Sequence, residues 1–303
     1  MKIAIVGSGA LGLYYGALLQ RGGADVHFLL RSDYDAITGD GLRVYSPDGN
    51  FHLPHVQGYR SPAEIGPVDL VLVGLKTSSN DAFSPLITPL LHDQTQILTL
   101  QNGLGNEEAL AKLFGAERIL GGVAFLCSNR GEAGTVHHLG AGRIVMGEHV
   151  RITSERVERI AALFRHCTVD CRSTDDLTKS RWEKLVWNIP FNGLSALLLQ
   201  PVDRLLAVPA TRALLAEIMA EVIAGANAQQ LRLPIAAEYA QTMLTFTDTM
   251  GAYKPSMQID REAGREMELT AILRKPLEFG QREGVAMTRV EMLTTLLEQV
   301  EKK

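Results

Sequence analysis

Cysteine is scarce in this chain. Cys127, Cys167 and Cys171 are odd in number and lack C-x-x-C spacing, so neither a disulfide framework nor a zinc site is indicated. A reducing cytoplasm fits that usage best, and no metal is expected. No apolar run is long enough to span a bilayer. The N-terminal stretch is apolar, but it lacks a basic leader and a small-residue cleavage site and breaks at glycines, so no secretory leader is expected. An excess of one charge is missing too. The formal net charge is −4 and no long basic run occurs, which argues against nucleic acid or an anionic membrane as the main partner. Internal repeats and low-complexity segments are absent. What remains is a chain of 303 residues, 46% hydrophobic and 21% charged, able to bury a real core and long enough for about two domains.

Its first sixteen residues carry the strongest local signal. Ile3 to Val6 are apolar and mostly β-branched, which reads as a strand buried on both faces. Gly7, Gly9 and Gly12 follow in G-x-G-x-x-G spacing and lead into a helix over Ala10 to about Gln20. Gly7 permits a tight turn, Gly9 lets backbone approach a pyrophosphate, and Gly12 lets the helix pack closely on the sheet. Any tight strand-to-helix turn can use three glycines. Here a second apolar strand, Val26 to Leu30, completes a unit of about 30 residues, the context that a dinucleotide site requires. Phosphates would sit at the helix N-terminus, where unpaired N–H groups and the positive dipole end point.

Arg31 ends that second strand, nineteen residues after Gly12. A carboxylate near this place accepts from the ribose hydroxyls of NAD, whereas an arginine attracts a 2′-phosphate by charge and a bidentate fork. Arg31 therefore favours NADP, with Asp33 as the alternative ribose acceptor. Val68 to Gly74 and Ile97 to Leu100 are further buried-strand runs, ending in Leu75-Lys76 and Gln101-Asn102-Gly103. Ligands of open parallel sheets bind beyond the carboxyl ends of the strands, so Lys76 and Asn102 occupy functional positions if these strands run parallel to the first. Otherwise they are a surface lysine and an ordinary Asn-Gly turn. The piece from Gly41 to Pro62 reads as a small excursion or hairpin rather than a core element. Three β-like runs follow, Ile119 to Leu126, Gly134 to His138 and Arg143 to Gly147. His137 and His138 are adjacent on one of them and point to opposite faces, a structural pair.

From about Asp175 the β-like pattern gives way to helical periodicity over Val208 to Gln230, Ile235 to Thr249, Glu262 to Glu283 and Arg289 to Lys302. The expected fold is thus α/β, an N-terminal Rossmann-type doubly wound sheet over 1–174 followed by an all-α domain over 175–303. Lys184, Asn188 and Asn192 are spaced i, i+4 and i+8, which on a helix lines one ammonium and two amides along one face with a drift of about 40° per step. Such a line is also what a solvated helix face looks like. Pro190 lies between the two asparagines, lacks the N–H that would bond the Val186 carbonyl, and is expected to kink or end the helix there.

The Gly7-Ser8-Gly9-Ala10-Leu11-Gly12 turn, Arg31, Leu75-Lys76, Gln101-Asn102-Gly103, the Trp182-x-Lys184-Leu185-x-x-Asn188-x-x-x-Asn192 pattern and Ser256-Met257 followed by Glu268 together resemble the ketopantoate reductase (2-dehydropantoate 2-reductase) family, over nearly the whole chain. The resemblance implies NADPH-dependent reduction of a 2-keto acid, most simply 2-dehydropantoate to pantoate in pantothenate biosynthesis, with substrate held where the Rossmann and helical domains meet. It implies a cofactor site of the glycine turn with Arg31, Lys76 and Asn102, Lys184 as general acid, and a substrate site of Asn102, Lys184, Asn188, Asn192, Ser256 and Glu268. Glu268 would accept from a substrate hydroxyl or orient Lys184. The partner is then a small keto acid, and the assembly, if any, a homodimer. Pro190, the bulky Gly121-to-Asn129 segment and Ala286-Met287-Thr288-Arg289 depart from the family pattern and point to an altered acyl pocket, which Trp187 and Phe191 would narrow unless they are core. The alternatives are a reductase of another branched keto acid, a dehydrogenase working in the oxidative direction on a hydroxy acid, and a non-catalytic NADP-sensing protein.

Overall fold

A computed structural model describes residues 1–150 and 154–301. The last residue of the expected helix Arg289 to Lys302, and positions 151–153 of the expected first domain, lie outside the described residues. The chain forms two compact units, one of Met1–Gln101 with Asn106–Leu177, the other of Asn102–Gly105 with Thr178 onward.

The first unit is built on a ten-stranded sheet of β1 (Lys2–Val6), β2 (Asp25–Leu29), β3 (Leu42–Tyr45), β4 (Phe51–Leu53), β5 (Gln57–Tyr59), β6 (Leu70–Val73), β7 (Gln96–Thr99), β8 (Ile119–Arg130), β9 (Thr135–Glu148) and β10 (Cys171–Ser173). Its order is β4-β3-β9-β8-β7-β6-β1-β2-β5, with β10 paired to β9. β1 runs parallel to β2 on one side and to β6 on the other, and β6 is parallel to β7. The chain therefore winds away from β1 in both directions, the doubly wound arrangement. Side-chain alternation explains the continuous apolar run of β1. Ile3 and Ile5 pack into one core, Ala4 and Val6 into the core on the opposite face, and all four are fully buried.

Two expectations for this unit need correction. The piece after Gly41 does form an antiparallel hairpin of β3 and β4, yet it is no mere excursion. β3 pairs with β9, and Leu42 and Val44 are buried in the main core, because an alternating strand whose apolar face meets an unpaired sheet edge gains both hydrogen bonds and burial. The runs Gly134 to His138 and Arg143 to Gly147 are one strand, β9, which crosses Gly140-Ala141-Gly142 with register shifts against β8. His138 is buried and structural, its Nδ1 near Tyr14 Oη (3.2 Å) and Ser46 Oγ (2.8 Å). Burial and the Asp48 charge push the Tyr14 hydroxyl up to about 12.

The second unit is helical around one core containing Trp182, Leu185, Val186, Ile189 and Phe191. Helices span Leu177–Leu198, Val202–Leu206, Pro209–Asn227, Tyr239–Thr247, Ser256–Glu262, Lys275–Arg282 and Thr288–Glu301. The expected single helix from Glu262 to Glu283 is broken. Gly264 takes a left-handed φ of +64° just past Glu262, which closes the preceding helix as a glycine C-terminal cap does. The chain re-enters helix through a π turn over Thr270–Arg274. Pro276 stands at the start of the following helix and has no N–H for the Ile272 carbonyl, so widening the turn relieves a bond that could not form. Pro190, in contrast, ends nothing: the helix Leu177–Leu198 runs through it for 22 residues. Pro190 and its neighbours Ile189 and Phe191 are buried, and that packing outweighs a loss of about 3 kcal/mol for one interior proline. No helix among the described residues is long and apolar enough to cross a membrane.

Candidate active site

Within the sheet unit, the glycine turn joins β1 to the helix Ala10–Arg21 under tight steric limits. Gly7 has φ of +102°, and a Cβ there would stand 2.3 Å from the backbone nitrogen of Leu75. A Cβ on Gly12 would meet the Gly7 carbonyl oxygen at 2.2 Å, whereas one on Gly9 would meet nothing within 4 Å. The first and third glycines thus serve packing, and the second faces open space. The helix Ala10–Arg21 has no side-chain cap at Gly9 and no acidic residue in its first turn, so its N–H groups and positive dipole end remain suited to an anion. Ser8 Oγ donates to the Leu29 carbonyl at 2.8 Å, tying the turn to the end of β2, where Arg31 stands exposed. Lys76, also exposed, follows the parallel strand β6.

Asp33, the alternative ribose acceptor, has its carboxylate already engaged. It is 4% exposed and its carboxylate pairs with the Arg130 guanidinium at the end of β8. Nothing local in the sequence signals this pair, since 97 residues separate its members.

The helical unit gathers the other candidates. Lys184 Nζ donates to Asn102 Oδ1 at 2.6 Å, and Asn102 Nδ2 donates to Glu268 Oε2 at 3.5 Å. One amide thus stands between the ammonium and the carboxylate, with its acceptor toward the cation and its donor toward the anion. Asn102 thus links Glu268 to Lys184, a contact that residue spacing does not foreshadow. Asn102 is brought there by backbone. In the π turn the Ala271 carbonyl accepts from Leu104 N–H at 2.9 Å, and Gly103, at φ of +78°, lies so close that a Cβ would stand 2.2 Å from the same oxygen. Gly103→Ala is accordingly expected to displace Asn102, lowering kcat at least about tenfold and stability by about 1–3 kcal/mol. Thermal unfolding and steady-state kinetics check this, and a variant with wild-type values for both would contradict it.

The remaining residues divide. Asn188, one helical turn or about 6 Å beyond Lys184, is 5% exposed, and its amide has no hydrogen-bond partner among the described residues. Asn192 is 3% exposed and already engaged, its Oδ1 accepting from Met257 N–H at 3.1 Å and Ser256 Oγ at 3.4 Å. It caps the helix Ser256–Glu262 from outside. Phe191 is core, while Trp187 is half-buried, stacks on Phe191 at 5.1 Å and donates through Nε1 to Thr247 Oγ1 at 2.9 Å.

Comparison with known proteins places the whole chain in a family. Residues 3–151 match the family model described as ketopantoate reductase PanE/ApbA, and residues 176–301 match its C-terminal counterpart. The chain belongs to the ketopantoate reductase family. A 2-dehydropantoate 2-reductase of a Nostoc species is 43% identical to it over 297 residues, 96% of this chain and 92% of the relative. Among solved structures, 2-dehydropantoate 2-reductase from Geobacter metallireducens superposes with a TM-score of 0.98 at 68% identity, covering 99% of both chains. The enzyme of that name from Methylococcus capsulatus gives 0.90 at 31% identity, covering 100% of this chain and 97% of its own. Membership in the ketopantoate reductase family accords with a doubly wound sheet followed by helices.

Proposed function

We propose that this ketopantoate reductase family member reduces a 2-keto acid to a 2-hydroxy acid with NADPH, and that 2-dehydropantoate is its substrate, as the names of its relatives suggest. The observation that carries the reading is the Lys184–Asn102–Glu268 chain, with Lys184 on the helix that also carries Asn188. NADPH, when bound, supplies the hydride for the substrate carbonyl. Negative charge then develops on the carbonyl oxygen, and the Lys184 ammonium stabilises that charge and delivers the proton, an effect of about 10²–10⁴-fold. Asn102 accepts from Lys184 and so helps hold its ammonium in place. The Asn188 amide offers a neutral hydrogen-bond partner for substrate, with no further buried charge to desolvate. Asn192 and Ser256 support the same region by holding the helix that begins at Ser256.

The cofactor fits the sheet unit: the uncapped helix end suits a pyrophosphate, and Arg31 suits a 2′-phosphate. Stopped-flow oxidation of NADPH with 2-dehydropantoate and a panel of branched 2-keto acids tests the reading. Turnover is expected with NADPH and fastest with 2-dehydropantoate, while NADPH binding without turnover of any keto acid would sink it. Arg31→Ala is expected to lower kcat/KM for NADPH about tenfold or more, with little change for NADH. The proposed setting is the cytoplasm, where the three free cysteines would stay reduced. A homodimer is the proposed assembly, to be read by size-exclusion chromatography with light scattering.

A further inference from the structure

We infer that Arg130 is a cofactor-selecting residue that acts by masking Asp33, an inference that rests on the NADPH reading above. Asp33 lies two residues beyond Arg31, where an acidic side chain could accept from the ribose hydroxyls of NAD and would repel a 2′-phosphate. Its carboxylate does not cap the helix Tyr34–Asp40, although Asp33 is the N-cap residue. Instead, Oδ1 accepts from the Arg130 guanidinium and from Ser32 Oγ at 3.2 Å. Arg130 Nη2 also donates to Ser32 Oγ, at 3.3 Å. The pair is asymmetric in exposure: the Asp33 side chain is 5% exposed and that of Arg130 42%. Asp33 Oδ2 is buried with no hydrogen-bond partner, so without Arg130 the carboxylate would be an uncompensated charge at the end of β2. It would then have to turn outward toward the adenosine ribose or stay buried at high cost. With Arg130 present, Arg31, Asp33 and Arg130 together carry net positive charge. Without it, the Arg31 and Asp33 charges cancel, and the attraction for a dianionic phosphate is lost.

Calorimetric titration of the full-length protein with NADP⁺ and NAD⁺ separates these possibilities without requiring turnover. Arg130→Gln is expected to lower the ratio of NADP⁺ to NAD⁺ affinity at least about tenfold. Arg130→Lys, which keeps the charge, should retain most of the ratio. Combining Arg130→Gln with Asp33→Asn should bring it back to within about threefold of the wild-type value, because the carboxylate to be masked is gone. A wild-type ratio in Arg130→Gln, or a double variant as unselective as Arg130→Gln, would overturn the inference. Should Arg130→Gln fail to fold, Asp33→Asn and the double variant carry the test: equal ratios are expected, and a lower ratio in the double variant would mean that Arg130 acts otherwise than through Asp33. Arg31→Ala is titrated alongside. If it leaves the ratio unchanged, the NADPH reading itself fails, whereas its loss beside an unaffected Arg130→Gln refutes only the role of Arg130.

Discussion

Lys184→Ala is expected to lower kcat for keto acid reduction by about 10²–10⁴-fold while NADPH affinity changes less than about twofold. The expectation follows from where the ammonium stands. Lys184 is half-buried, and its Nζ donates to Asn102 Oδ1 at 2.6 Å, a bond that helps hold the ammonium in place. Glu268 touches the same amide from its donor side, which fixes the amide orientation and keeps the acceptor oxygen toward Lys184. Glu268→Gln should therefore cost less than Lys184→Ala, about tenfold, and appear mainly in kcat. Single-turnover stopped-flow separates chemistry from binding and release. A Lys184→Ala variant retaining more than a third of wild-type kcat would refute the assignment of Lys184 as the acid and leave the binding-protein alternative standing.

Alanine at Gly7 and at Gly9 should differ in stability while both weaken cofactor binding. Gly7 combines a φ of +102° with a Cβ position 2.3 Å from the Leu75 nitrogen. Both the left-handed conformation and the overlap with backbone disfavour any side chain, for a loss of stability on the order of 3 kcal/mol. Backbone cannot rotate out of the way as the end of a side chain can, and the strained turn is also the cradle, so cofactor binding should fall with stability. A Cβ on Gly9 meets no protein atom within 4 Å. Gly9→Ala should leave thermal stability within about 0.5 kcal/mol of wild type, yet weaken NADPH binding about tenfold or more by occupying the space through which a phosphate approaches the helix end. Differential scanning calorimetry and cofactor titration on the two variants read the contrast. If Gly9→Ala bound NADPH as wild type does, the pyrophosphate could not lie over that turn.

How much of this was legible beforehand depended on the range of each interaction. The strand, turn and helix of the first twenty-one residues could be read because apolar run, glycine spacing and helix periodicity are all local. The same holds for the i, i+4, i+8 line of Lys184, Asn188 and Asn192, since helix geometry alone aligns them. Failures came where distant segments decide. Pro190 suggested a break, and buried neighbours overrode it. Glu262 to Glu283 is a different case, since Gly264 within the segment itself ends the first helix. The β3–β4 hairpin was legible as a hairpin, but its pairing with β9 depends on a strand more than eighty residues away in the chain.

By itself, the sequence determined a Rossmann-type unit with a glycine-rich strand-to-helix turn and an arginine after its second strand, followed by a helical region carrying a polar line, because turns, strand burial and helix faces follow from neighbouring residues. Tertiary structure decided what those side chains do. Asn102 meets Lys184 and Glu268 because the π turn leaves the Ala271 carbonyl free to accept from Leu104. Asn192 is drawn into holding a helix end while Asn188, four residues earlier, is not. Asp33 is masked because β8 carries Arg130 to it. Each of these depends on a hydrogen bond or charge pair between residues far apart in the chain, and the energy of such a pair is set by distance and burial that no local pattern encodes.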